Sequence, residues 1–73
     1  MGAFSGFAVG SRLILTRDAR DWKADGEVEV VAMLSPQGVT DDGIRVRRVK
    51  PETGQPEGPT MEFWWECGRR YFQ

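Results

Sequence analysis

Residues Glu27-Val28-Glu29-Val30 alternate charged and apolar side chains, and this pattern constrains the fold more than any other feature of the chain. A period of two puts the valines on one face of an extended segment and the glutamates on the other, as in a half-buried β-strand. Continued to Leu34, the alternation assigns Val28, Val30, Ala32 and Leu34 to the core. Glu27, Glu29, Val31 and Met33 then fall on the outer face.

Three more stretches read as strands. Arg12-Leu13-Ile14-Leu15-Thr16-Arg17 is β-branched and apolar, with Leu13 and Leu15 on one face. Ile44-Arg45-Val46-Arg47-Arg48-Val49 alternates until Arg48 takes an inward slot, so the pattern predicts a β-bulge near Arg47-Arg48. Met61-Glu62-Phe63-Trp64-Trp65-Glu66-Cys67 puts Met61, Phe63, Trp65 and Cys67 on one face and Glu62, Trp64 and Glu66 on the other. Gly68 is read as its end, and Arg69 to Gln73 as a short closing strand.

The connections carry turn chemistry. Asp18 to Gly26 has no apolar helical stripe and reads as a long loop, with Trp22 folded back onto the core. Ser35 to Gly43 reads as a second loop, begun by Pro36 and closed by Asp42-Gly43. Residues 50–60 hold Pro51, Gly54, Pro56, Gly58 and Pro59 and read as an extended Pro/Gly loop. Residues 1–10 form a glycine-rich N-terminal segment. The expectation is one all-β domain over residues 1–73: a small SH3-like barrel of four to five short antiparallel strands. The long loop after the first strand resembles the corresponding loop of SH3-like barrels, an architectural likeness over residues 9–73.

Charge suggests the strand order. Arg45 and Arg47 share the outer face of the third strand, and Glu27, Glu29, Glu62 and Glu66 that of its expected neighbours. An antiparallel meander puts the arginines between two acidic rows, each cross-strand pair contributing about 0.2–1 kcal/mol.

Composition bounds the chemistry. The chain has 73 residues and a net charge of −1, from ten Lys/Arg and eleven Asp/Glu, so it exerts no global pull on nucleic acid or anionic membranes. Histidine is absent, which removes the commonest zinc ligand and general base. Cys67 is the sole cysteine, so it has no intrachain disulfide partner and reads as a buried, inert thiol in a cytoplasmic protein. The N-terminal segment lacks a basic region and reads as no signal peptide, and no apolar run is long enough to span a membrane. The aspartates Asp18, Asp21, Asp25, Asp41 and Asp42 do not have the spacing of a calcium loop. No metal or cofactor is expected.

Two clusters could bind a partner. One is aromatic: Phe63, Trp64, Trp65, Tyr71 and Phe72. Adjacent tryptophans in a strand point to opposite faces, so one of the two is expected at the surface, unless both serve the core and a barrel end. Exposed Trp and Tyr dominate protein–protein contacts and line peptide grooves. The other cluster is basic: Arg45, Arg47, Arg48 and Lys50, which either contact phosphate or form a solvated, cross-paired sheet face.

The leading expectation is a small non-catalytic protein-interaction module, acting like the inhibitors and adaptors of phage and mobile elements by occupying a partner's surface. Trp64, Trp22, Tyr71 and Phe72 would anchor it, with Arg69 and Arg70 at the rim. The partner would be a protein, and self-association would also stabilise so small a domain. A nucleic-acid-binding barrel using the third-strand arginines ranks second. Third comes an oligomeric pore enzyme, because the chain is similar in length and all-β character to type II dihydrofolate reductases. It lacks the Val-Gln-Ile-Tyr stretch that lines their pore, so no residue role carries over.

Overall fold

The computed structural model describes residues 2–35 and 42–72. Four strands form one antiparallel sheet: β1 (Arg12–Ile14), β2 (Glu27–Leu34), β3 (Gly43–Val49) and β4 (Pro56–Trp64), in the order β1-β2-β3-β4. A short helix α1 (Trp65–Arg69) follows. The fold is mostly sheet, as the alternation requires. The loop read over Ser35 to Gly43 lies largely outside the described residues, Pro36 and Asp41 included.

The sheet does not close into a barrel. After α1 the chain returns to the end of β1, where the Thr16 amide donates to the Tyr71 carbonyl (2.6 Å) and Leu15 bridges Phe72. One bridge is too little to form a fifth strand, so among the described residues no strand pairs with the outer edge of β4. No helix among the described residues is long and apolar enough to cross a membrane.

The core lies on one face of the sheet. Val28 and Val30 from β2, Ile44 and Val46 from β3 and Phe63 from β4 meet Leu15, Trp22 and Phe72 there. Trp22 reaches it from the long loop through a two-residue turn, in which Ala19 and Trp22 exchange both backbone hydrogen bonds (2.8 and 2.9 Å). Phe4 is fully buried in the same cluster, so the glycine-rich N-terminal segment is part of the core. It is tied down by the Gly10 amide, which donates to the Val30 carbonyl (2.8 Å). Phe7 packs against Phe4 (5.8 Å between centroids) and under the Arg69 guanidinium (4.8 Å).

Two bulges set which residues face inward. Val30 lies opposite Val46, but Ala32 lies opposite Arg45, so Val31 is the extra residue on β2. The alternation reverses there. Met33 pairs with Ile44 and packs on the core, while Ala32 and Leu34 move to the outer face, contrary to the simple alternation. The bulge expected at Arg47-Arg48 occurs in the β3–β4 ladder, with Arg47 opposite Thr60 and Arg48 opposite Glu57. Its extra residues, Gly58 and Pro59, belong to β4, and Gly58 has a φ of 86°, which suits glycine.

The last third of the chain departs furthest from expectation. β4 begins at Pro56, inside the segment read as a Pro/Gly loop, because an edge strand tolerates proline. It ends at Trp64, and Trp65 to Cys67 lie in α1. Cys67 is therefore exposed, its thiol donating to the Trp64 carbonyl (3.4 Å), and does not belong to the core. Gly68, read as a strand breaker, is buried in the helix. A Cβ there would come within 3.0 Å of the Phe63 backbone, so glycine lets α1 lie against β4.

Candidate functional site

A groove of about 450 Å³ runs between the end of β4, α1 and the arm of the long loop. Met61, Phe63, Trp64 and Trp65 line it, with Arg17, Ala19 and Arg20 from the loop after β1. Cys67, Arg70 and Tyr71 close it along the helix.

Trp64 occupies the outer face of β4, opposite Gly43 in register. A Cβ on Gly43 would meet the Trp64 ring at 2.6 Å, so the ring lies flat over that glycine. The indole N–H donates to Oε1 of Glu62 (3.2 Å), while Arg45 donates to Oε2 through Nη2 (2.8 Å) and Nε (3.2 Å). The Arg45 hydrogen bonds, then that of Trp64, hold the Glu62 carboxyl below its ordinary value.

Trp65 has a φ of 55°, in the left-handed region that a bulky residue rarely adopts. This reversal breaks the strand alternation and brings both tryptophans to one groove rather than to opposite faces. Their ring centroids lie 5.4 Å apart at 40°. The Trp65 amide donates to the Asp42 carbonyl (2.8 Å), which holds the reversal in place, yet the side chain is 56% exposed. Of the two tryptophans, Trp65 is the exposed one, having left the strand for α1, and Trp64 is half-buried on the outer face that alternation assigned to it.

Arg20, another lining residue, also has positive φ (56°), at the first central position of the Ala19–Trp22 turn, where glycine is preferred. Two strained non-glycine residues thus line one groove. Strain of this kind gathers where function requires a geometry that stability does not.

The expected anchors divide. Trp64 and Tyr71 line the groove, and Arg70 stands exposed at its rim. Trp22 (7% exposed) and Phe72 (5%) are core residues that present no surface to a partner. Arg69 turns away, donating to the Phe72 carbonyl (3.2 Å) and covering Phe7, so its part is to join the two chain ends. Sequence reading missed Arg17 and Arg20, and it named Trp65 in the aromatic cluster without choosing it as an anchor. Arg20 carried no signal, since a charged loop residue does not reveal a tight turn.

The basic cluster of β3 does not form one surface. β3 is central, as the charge rows predicted, and Arg45 is paired with Glu62. Glu29 pairs with Arg12 (2.6 Å) although Arg47 stands opposite it in register. Arg48 takes an inward slot at the sheet's end, and Lys50 pairs with Glu57 (3.6 Å). Among the described residues no three His, Cys, Asp or Glu side chains converge to hold a metal. No protein-family model, curated protein or solved structure matches this chain significantly, so its function is argued from the groove itself.

Proposed function

We propose that the chain is a non-catalytic protein-interaction module that takes an extended segment of a partner protein in the Trp64–Trp65 groove. The observation that carries this reading is Trp65 itself: a tryptophan held in left-handed backbone and 56% exposed at the groove's mouth. Exposed tryptophans bind by burying large, rigid surface at little entropic cost.

The arrangement of the chain supports the same reading. A long loop after β1, a β3–β4 hairpin, a short helix and a return to β1 resemble an SH3-like barrel left open on one side. Domains of that kind use aromatic grooves beside the first loop to hold extended peptides. Occupying a partner's surface in this way is how a small inhibitor or adaptor of the cytoplasm, of the phage or mobile-element type, would act.

Selection from a displayed random-peptide library tests the proposal. The wild-type chain enriches a shared motif, and NMR shifts on adding an enriched peptide map to Trp64, Trp65 and Tyr71. Enrichment of no motif, or shifts confined to the opposite face of the sheet, would overturn it.

A further inference from the structure

We infer that the segment bound in this groove is acidic and docks as an added strand along the free edge of β4. This inference rests on the groove being a protein-binding site and specifies the partner's chemistry.

Charge is the first argument. Arg17, Arg20 and Arg70 reach the groove from two distant parts of the chain, all three exposed. Among the described residues none of them makes an ion pair, whereas Arg12, Lys23, Arg45 and Lys50 all do. Glu62 is the one carboxylate among the lining residues, and both its oxygens are already engaged, by Arg45 and Trp64. The groove therefore concentrates positive charge on a chain whose net charge is −1. Three guanidiniums around an apolar floor complement carboxylates on an extended segment.

The edge of β4 is the second argument. Its first half is protected against pairing by Pro56, Pro59 and the bulge at Gly58. From Thr60 to Glu62 no such block exists, up to Phe63, where α1 lies against the backbone. Among the described residues, no backbone hydrogen bond joins Met61, Glu62 or Phe63 to any element outside the β3–β4 pair and α1. The open stretch of edge is the stretch that lines the groove. An added peptide strand uses those backbone groups, and a single strand of nucleic acid does not, so the edge favours a peptide over an oligonucleotide.

The test uses fluorescence anisotropy with three labelled probes: a short Glu-Thr repeat peptide, its Gln-Thr counterpart and a short thymidine oligonucleotide. The acidic peptide binds wild type, and more weakly as salt rises. The Gln-Thr peptide, or the acidic peptide on an Arg20→Gln/Arg70→Gln variant, binds about tenfold more weakly or worse. Amide shifts at Met61 to Phe63 accompany binding. Circular dichroism checks that the variant is folded, which its exposed positions favour. Equal binding of both peptides, or an unaffected double variant, overturns the acidic preference and leaves the peptide groove standing. Binding of a library-selected peptide without binding of the acidic repeat does the same. Binding of the oligonucleotide alone overturns both the inference and the protein-partner reading.

Discussion

Trp65 and Glu62 show how single residues shape this groove. Left-handed backbone costs a non-glycine residue about 1–2 kcal/mol, and at Trp65 it accompanies the turn from β4 into α1 while leaving the side chain exposed. Glu62 works in the opposite sense, because it fixes the half-buried Trp64 from one oxygen and Arg45 from the other. Its carboxyl titrates below its unfolded value, with the Arg45 hydrogen bond as the main cause. A depressed folded pKa means stabilisation that is complete above the unfolded pKa and is lost as pH falls through the folded one. Stability measured by denaturant should therefore drop on acidification below the ordinary glutamate range. Glu62→Gln should flatten that part of the profile, and an NMR titration should place the Glu62 midpoint below those of exposed glutamates. An unshifted Glu62 midpoint would show that the pairing does not persist in solution.

The strands illustrate what sequence can and cannot reveal at the scale of an element. The central place of β3 was legible because arginines flanked by glutamates make one order electrostatically better than others. The face assignment of β2 was legible only to Val30. Val31 is equally at home as a paired residue or a bulge, and one extra residue reverses every side chain beyond it. The helix was illegible because five residues hold no periodicity, and its glycine reads as a breaker until its contact with Phe63 is seen. The groove shared this fate: its aromatic side was visible as Trp64-Trp65, while its basic side depended on an unrecognised turn at Arg20. The bulge makes a prediction that separates the two registers. Met33→Ala should destabilise the domain by about 1–2 kcal/mol more than Leu34→Ala, because Met33 packs on the core and Leu34 faces outward. The reverse order in urea melts would restore the unbroken alternation.

Across the whole molecule, one sheet face buries a core and the sheet is left open at β4. A domain of this size buries only about 60% of its unfolded surface, so its margin is thin. The N-terminal segment is consequently structural. Phe4→Ala removes a fully buried ring and should cost about 3–5 kcal/mol, enough to leave much of the population unfolded. A Phe4→Ala domain melting like wild type would mean that this segment is dispensable. Core residues Ala19 and Phe63 line the groove, whereas Phe4 stabilises the domain from outside it, and the exposed Trp65 ring adds little to the core. The central claim is that Trp65 serves binding and not folding. Replacing it with glycine relieves the left-handed strain and removes the stack on Trp64, two effects of about 1 kcal/mol that oppose each other. The direct measurement is Trp65→Gly followed by both thermal denaturation and titration with a groove-binding peptide. If Trp65 serves binding, the variant melts close to wild type and no longer binds; a large fall in melting temperature with binding retained would show that it serves folding instead.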